Sequence, residues 1–178
     1  MIEHTISRGL LKNITIGLIL LPISAILQSS LLPYSDWQDI FKLDLILILT
    51  LTWNIAYRNN TSMYWALIGG LMTDTLSVNY FGTNVISLLF ASMLANVVNT
   101  KVWSNHIGLN ILTSIVGCTV YYITYLIVLS ATGFTINWTN AQMIFLTRSI
   151  LVNASLIILI LPIMKILSNT IYQPRIKI

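Results

Sequence analysis

Long apolar stretches constrain the fold of this chain more than any other feature of its sequence. Six of them follow one another, separated by short polar segments, and we place them near residues 10–32, 41–57, 62–79, 83–100, 108–131 and 141–167. A helix needs roughly 20 apolar residues to cross the hydrocarbon core of a bilayer. The sequence therefore predicts an all-α integral membrane protein, a single bundle of about six transmembrane helices that forms one domain over residues 1–178.

The composition agrees with this prediction and argues against a water-soluble domain. Hydrophobic residues make up 56% of the chain and charged residues only 8%, whereas a soluble domain carries roughly 25% charged residues. A soluble fold of this size has to expose a large share of its residues to water. The net charge is +4, but the basic residues are scattered singly, so the sequence does not predict binding to nucleic acid.

The first apolar stretch leaves two interpretations open, a cleaved signal peptide or a first membrane helix. Arg8 and Lys12 precede an apolar run from Ile14 to Leu32, as basic residues do in a signal peptide. The run is longer than a typical signal-peptide core, and no cleavage site of small residues closes it. We interpret it as an uncleaved first helix.

Lysine and arginine indicate the orientation of the bundle. If the N-terminus is cytoplasmic, the cytoplasmic side receives seven basic residues: Arg8, Lys12, Arg58, Lys101, Lys165, Arg175 and Lys177. The opposite side then receives only Lys42. Cytoplasmic loops of membrane proteins carry an excess of basic residues, so we predict that both termini are cytoplasmic.

Three ionisable residues, Asp44, Asp74 and Arg148, fall inside the predicted helices. A charge in the hydrocarbon region costs at least ~2.5–3.5 kcal/mol on insertion scales, so it needs a partner or a function. Asp74 and Arg148 lie at similar predicted depths, and we expect an ion pair that joins helix 3 to helix 6. The alternative is a proton or ion relay, or a substrate site, although a relay more often has several acids along one path.

Helix 3 also carries small residues at a spacing of four. Ala66, Gly70 and Asp74 share one face, and Gly69 and Thr73 share the adjacent face. Small residues let helix backbones approach closely in lipid, so we expect helix 3 to be the central helix of the bundle.

Polar side chains in the other helices predict contacts between helices. Asn54 in helix 2, Asn96 in helix 4 and Asn153 in helix 6 are candidates for interhelical hydrogen bonds, at about 0.6 kcal/mol each.

The sequence contains no Ser/His/Asp set, no Cys/His pair, no metalloprotease motif and no glycine-rich phosphate loop. We therefore predict no enzymatic activity, no catalytic residues, no metal and no cofactor.

Four segments and one residue carry a resemblance to a known family: Leu27-Gln28-Ser29-Ser30 closing helix 1, Lys42-Leu43-Asp44-Leu45 opening helix 2, Gly70-Leu71-Met72-Thr73-Asp74 in helix 3, Phe81-Gly82-Thr83-Asn84 starting helix 4, and Asn153 in helix 6. This order resembles the bacterial rod shape-determining MreD family. That family has a glutamine late in helix 1, a Pro-Asp-Leu start of helix 2, and a Gly-Leu-x-x-Asp segment followed by a Gly-x-Asn-like helix start. The chain departs from the pattern at Leu43, which stands in the place of the usual proline.

The resemblance implies roles for five residues. We expect Gln28 and Asn84 to form hydrogen bonds between helices and Gly82 to serve helix packing, beside Asp44 and Asp74. The implied function is a non-enzymatic scaffold in the bacterial plasma (inner) membrane that takes part in lateral peptidoglycan synthesis and maintains rod shape. Its implied partners are an MreC-like periplasmic coiled-coil protein, a RodA-type polymerase with its transpeptidase and, indirectly, an MreB-like filament.

A second resemblance gives an alternative function. The six-helix size is similar to that of the substrate-binding subunits of energy-coupling-factor vitamin transporters. Those proteins hold a small ligand in an outward-facing cavity, which Asp44, Asp74 and Arg148 near the outer surface would suit. The Ala-rich motif with which such subunits bind their coupling module is absent from this sequence.

Overall fold

A computed structural model describes residues 2–30, 40–57, 61–77, 80–101, 107–133 and 139–171, and for residues 2–12, 99–101 and 171 it describes the backbone alone. Over this part of the chain the fold is all-helical, with six helices and no strand. The helices are α1 (Ile2–Ser30), α2 (Leu45–Ala56), α3 (Ser62–Leu76), α4 (Thr83–Lys101), α5 (Ile107–Ala131) and α6 (Asn140–Ile171). The predicted all-α fold is confirmed, and the six helices follow the six apolar stretches in order.

Three of the described helices are long and apolar enough to cross a membrane. These spans are Asn13–Ser30, Ile107–Ala131 and Asn140–Thr170. The 12 residues of α2 extend over only about 18 Å at ~1.5 Å per residue, which is less than the ~30 Å of a hydrocarbon core. Of the basic residues on which the orientation depends, six lie outside the described side chains: Arg8, Lys12, Arg58, Lys101, Arg175 and Lys177.

The two ends of the bundle differ, and we name them after residues buried there. At the Asp44 end, α1 and α3 finish and α2 and α4 begin. At the Asn13 end, α2 finishes and α3 begins. Asp44 contacts Tyr121 and lies beside Asn153, which are well inside α5 and α6, so these two helices extend beyond the Asp44 end.

The central helix is α2, and the prediction that helix 3 occupies this position is wrong. Nine of the 12 residues of α2 are buried, and α2 contacts each of the other five helices. In the described part of the chain, α3 contacts α1, α2 and α4 but not α5 or α6. A helix that is hydrophobic all round belongs in the interior, and this is the character of α2, whereas one side of α3 is exposed at Tyr64 and Leu67.

The small residues of α3 permit its close approach to two neighbours. A Cβ atom on Gly70 would lie 2.5 Å from Val85 Cα in α4, and one on Gly69 would lie 2.6 Å from Ile46 Cγ2 in α2. Ala66 is fully buried in the same helix. These contacts set the spacing of α3 against the first turns of α2 and α4, towards the Asp44 end of the bundle.

A tryptophan pair fills the Asn13 end of the core. The rings of Trp53 and Trp65 stack with centroids 4.6 Å apart and planes 3° apart. Trp65 Nε1 donates a hydrogen bond to Asn13 Oδ1 over 2.8 Å, and Gly17 provides the space beneath the same indole. This cluster ties α1 to α2 and α3.

An amide cluster lies beside the tryptophans. Asn54 Nδ2 donates to Ser62 Oγ over 2.9 Å and to the Ser92 carbonyl over 3.0 Å. Asn96 Nδ2 donates to the same Ser62 hydroxyl over 3.3 Å. Asn54 and Asn96 thus meet through Ser62, and the cluster joins α2, α3 and α4.

Candidate functional site

A buried carboxylate starts the central helix. Asp44 has an extended backbone (φ −122°, ψ 91°), and its Oδ1 accepts the Leu47 N–H over 3.2 Å. This is an N-cap, in which a side chain satisfies one of the free N–H groups of the first helical turn. The residue is only 2% exposed. Because α2 begins only after this cap, residues 41–44 are not helical, although the apolar pattern predicts a helix from residue 41.

Helix α1 contributes a second cap to the same helix start. Gln28 Oε1 accepts the Leu45 N–H over 2.8 Å and approaches the Ile46 N–H at 3.4 Å. The first four N–H groups of a helix have no partner within it, and these two are satisfied from a neighbouring helix. Gln28 therefore fixes the end of α1 to the beginning of α2.

Helix α6 holds the non-helical segment, residues 41–44, that precedes α2. The Asp44 N–H donates to Asn153 Oδ1 over 3.0 Å, and the Lys42 N–H donates to Ser149 Oγ over 2.7 Å. Asn153 Nδ2 in turn donates to the Lys42 carbonyl over 2.8 Å and to the Tyr122 hydroxyl oxygen over 3.0 Å. Side chains of α6 thus satisfy backbone groups of Lys42 and Asp44 that have no partner in a helix.

Helix α5 supplies Tyr121, which connects Asp44 to Asn84. The Tyr121 hydroxyl lies 2.8 Å from Asp44 Oδ2 and 3.0 Å from Asn84 Oδ1, and all three residues are buried. A tyrosine hydroxyl has one proton to donate, so the two acceptors share it. Tyr121 thus couples α2 and α4 through α5.

The second carboxylate, Asp74, caps α4 from the end of α3. Its Oδ1 accepts the Asn84 N–H over 2.9 Å and Asn84 Nδ2 over 2.8 Å. Its Oδ2 accepts the N–H groups of Gly82 over 2.9 Å and Val85 over 3.2 Å. An ionised carboxylate only accepts hydrogen bonds, and the positive end of a helix dipole favours it. The start of α4 therefore compensates the charge of Asp74.

The geometry corrects the predicted ion pair between Asp74 and Arg148, which does not form. Among the described side chains the one ion pair joins Lys42 Nζ to Asp44 Oδ2 at 3.9 Å, and Arg148 is exposed on α6. The predicted depths of Asp74 and Arg148 match, but α3 and α6 are not neighbours. Depth along a helix does not reveal which helices are adjacent.

Gly82 has a different role from the packing role expected of it. A Cβ atom at this position would meet nothing within 4 Å, but its φ is +99°. Residues with a side chain rarely adopt this left-handed conformation. The glycine lets the turn before α4 direct its N–H towards Asp74.

Eight side chains and the helix starts they cap make up what we call the Asp44 layer: Gln28, Asp44, Asp74, Asn84, Tyr121, Tyr122, Ser149 and Asn153. Each of the six helices contributes to it or is capped by it.

Three of the predicted residues lie outside the Asp44 layer. Asn54 and Asn96 belong to the amide cluster around Ser62, and the Thr73 hydroxyl bonds to the carbonyls of Gly69 and Gly70 in its own helix.

Three members of the Asp44 layer, Tyr121, Tyr122 and Ser149, are not indicated by the sequence analysis. A signal for the tyrosines exists, because tyrosine in membrane helices concentrates at the two interfaces. Tyr121 and Tyr122 lie near the middle of the predicted stretch 108–131 instead. A polar ring at that depth requires a buried partner.

The layer is a chain of hydrogen bonds that connects two carboxylates, from Asp74 through Asn84 and Tyr121 to Asp44. Its acceptors and donors are engaged with one another and with helix ends. Within the part of the chain that the structure describes, no three His, Cys, Asp or Glu side chains are grouped so as to hold a metal ion. The arrangement is one that positions helices relative to each other.

Comparison with known proteins gives one match. A family model described as rod shape-determining protein MreD matches residues 9–171. No curated protein and no solved structure matches the chain. The matched span contains the whole Asp44 layer and both clusters at the Asn13 end.

Proposed function

This chain belongs to the MreD family of rod shape-determining proteins, and on that premise we propose that it is a non-enzymatic scaffold of the bacterial cell-elongation machinery. It would lie in the inner membrane as a six-helix, multi-pass protein with both termini in the cytoplasm. There it would bind an MreC-like periplasmic coiled-coil protein. Through this contact it would support a RodA-type polymerase and its transpeptidase and, indirectly, an MreB-like filament.

One observation carries the scaffold proposal: the Asp44 layer uses its polar groups to fix helices rather than to line a cavity. Asp44 and Asp74 are only 2% and 3% exposed. Buried polar networks whose members are all satisfied hold one arrangement of a core. A rigid bundle with its polar groups inside suits a protein that presents fixed surfaces to partners.

The exposed surface supports the placement of the bundle in lipid. Large apolar side chains on the outer face of α6 are exposed, among them Leu159 at 70% and Ile166 at 69%. Two polar side chains on the inner face of the same helix, Ser149 and Asn153, are fully buried. This distribution is the one expected in a bilayer, where backbone and side-chain polar groups are satisfied inside the protein.

The alternative transporter function depended on Asp44, Asp74 and Arg148 lining one ligand cavity, and the geometry does not support such a cavity. The carboxylates of Asp44 and Asp74 are occupied by Tyr121 and by the starts of α2 and α4. Arg148 does not join them. The three ionisable residues therefore do not form one ligand site.

Depletion of the protein in its native cell, followed by complementation, tests the proposal. Depleted rods should become round, and the wild-type chain should restore their shape and co-purify with the MreC-like partner. Asp74→Asn should restore shape less well than Asn96→Leu at equal levels in the membrane, because only the first breaks the Asp44 layer. Depleted cells that keep their shape and lose uptake of one nutrient would contradict the scaffold and favour the transporter.

A further inference from the structure

An apolar groove runs along α6 beside the non-helical segment that leads into α2. Its volume is about 520 Å³, and it is lined by Phe41, Leu43, Val152, Ser155, Leu156 and Leu159. Ser155 is the polar member of the lining, and its hydroxyl donates to carbonyls of its own helix. The walls of the groove are therefore apolar, and its open side faces outward, as the exposure of Leu159 indicates.

A cation stands at one end of this groove. Arg148 precedes Val152 by four residues, Ser155 by seven and Leu159 by 11 along α6, so the four side chains share one face of the helix. Helical side chains lean towards the N-terminus of their helix. The Arg148 guanidinium therefore extends away from Leu159, past the end of the groove. It is exposed and has no acidic partner within the described part of the chain.

The nearby Lys42 does not share this position. Its ammonium group lies 3.9 Å from Asp44 Oδ2 and 5.0 Å from the centre of the Tyr125 ring. Phe41 and Leu43 on either side of it line the groove, and Lys42 does not. Of these two cations, Arg148 is the one at the end of the groove.

We propose that this groove binds one acyl chain of an anionic phospholipid and that Arg148 holds the lipid phosphate. A guanidinium group matches a phosphate with two parallel hydrogen bonds, and the apolar walls match the hydrocarbon. The volume lies in the range of small-molecule sites. This site goes beyond the scaffold function and does not depend on it.

Lipid retention by the purified full chain tests the site. In detergent, native mass spectrometry would compare phosphatidylglycerol with phosphatidylcholine of the same acyl chains. We expect a preference of roughly fivefold for the anionic lipid, which corresponds to ~1 kcal/mol for one basic residue near a membrane surface. Arg148→Gln should abolish the preference, and Arg148→Lys should keep part of it. Water-soluble glycerol phosphate should not be retained, because it has no chain for the groove.

Two further variants separate this site from non-specific attraction. Lys165→Gln removes a positive charge from the same helix outside the groove and should leave the preference unchanged. Ser155→Trp fills the groove without touching Arg148 and should lower retention of both lipids. Circular dichroism without added lipid would verify that each variant is folded. The proposal is overturned if the wild type retains both lipids equally, or if Lys165→Gln and Arg148→Gln reduce the preference to the same extent. It is also overturned if Arg148→Gln leaves the preference intact and instead abolishes capture of a partner protein.

Discussion

The Asp44 layer and the Asn13 end are both buried and polar, but they satisfy their polar groups to different degrees. In the Asp44 layer, the two carboxylates, the amides and the tyrosine hydroxyls have hydrogen-bond partners. Near the Asn13 end, five buried polar atoms lack one within the described part of the chain: Asn13 Nδ2, Trp53 Nε1, Thr61 Oγ1, Ser92 Oγ and Asn110 Oδ1. A satisfied network specifies one geometry, whereas unsatisfied groups leave other arrangements accessible.

The charge distribution deepens this contrast. The described acids, Asp44 and Asp74, both lie in the Asp44 layer, and each caps a helix start. The Asn13 end is held by stacked indoles and neutral amides. Hydrogen bonds to charged groups are worth roughly twice those between neutral groups. We therefore expect substitutions in the Asp44 layer to cost more than matched substitutions at the Asn13 end.

The largest effect is expected from Asp74→Asn. An amide in place of the carboxylate directs its NH₂ group at one pair of donors and leaves two buried groups without an acceptor. At ~1–3 kcal/mol for each group, the free energy of unfolding should fall by about 2–6 kcal/mol. Denaturation in mixed detergent micelles would measure it.

The matched control for Asp74→Asn is Asn96→Leu at the Asn13 end. It removes an interhelical amide with little change of volume and should cost about 0.6 kcal/mol. Equal losses for the two variants would contradict the contrast between the two regions.

Tyr121→Phe is expected to have the next largest effect. It removes the one proton that Asp44 and Asn84 share and leaves two buried acceptors facing each other across the ring. The cost should be about 1–3 kcal/mol. Tyr64→Phe, on the half-exposed Tyr64 near the start of α3, should stay within about 0.5 kcal/mol. A Tyr121→Phe variant as stable as Tyr64→Phe would show that the bridge does not stabilise the fold.

Much of this contrast follows from the sequence, and part of it does not. Asp44, Asp74 and Asn153 are predicted as polar contacts because an amide or acid in an apolar helix needs a partner, and Gln28 is expected from the family resemblance alone. Which residue each one meets is not predictable in this way. Asp74 and Arg148 match in depth, but depth is one coordinate and helix adjacency is another.

The start of α2 is a second feature that the sequence pattern does not predict. Residues 41–44 continue the apolar pattern of helix 2, so the pattern predicts a helix there. The structure instead keeps them out of the helix, and side chains from α6 satisfy backbone groups of Lys42 and Asp44. These partners are more than 100 residues away in the chain, and a local pattern does not encode them. Tyr121 is missed for a related reason, since tyrosine is counted with the apolar residues until its partner is known.

Two glycine substitutions test whether the left-handed backbone at Gly82 contributes to stability. Gly82→Ala places a side chain at φ +99° in the turn that carries the N–H donors to Asp74. The left-handed conformation costs an L-residue about 1–2 kcal/mol, and Gly82→Ala should lower the free energy of unfolding by this amount.

The control is Gly108→Ala, in the first turn of α5 at the Asn13 end, where the new side chain meets no atom within 4 Å. It should be neutral or stabilise the protein by up to about 1 kcal/mol, as alanine is the better helix former. Opposite signs in thermal unfolding midpoints are the expected outcome, and two equal losses would argue against the conformational role of Gly82.

The smallest effect is expected at Leu43, directly before the Asp44 layer, where the family pattern expected from the resemblance has a proline. The N–H groups of Lys42, Asp44 and Leu45 donate to side chains of other helices, whereas the Leu43 N–H has no acceptor within the described part of the chain. Proline lacks this N–H, so Leu43→Pro removes no hydrogen bond and should change the free energy of unfolding by less than about 1 kcal/mol.

The matched variant is Leu45→Pro. It removes the bond to Gln28 and should cost about 1–3 kcal/mol, although proline is well suited to the first position of a helix. If both variants were equally stable, the caps around Asp44 would not set the start of α2, and the stability of the layer would have to come from Tyr121 and Asp74.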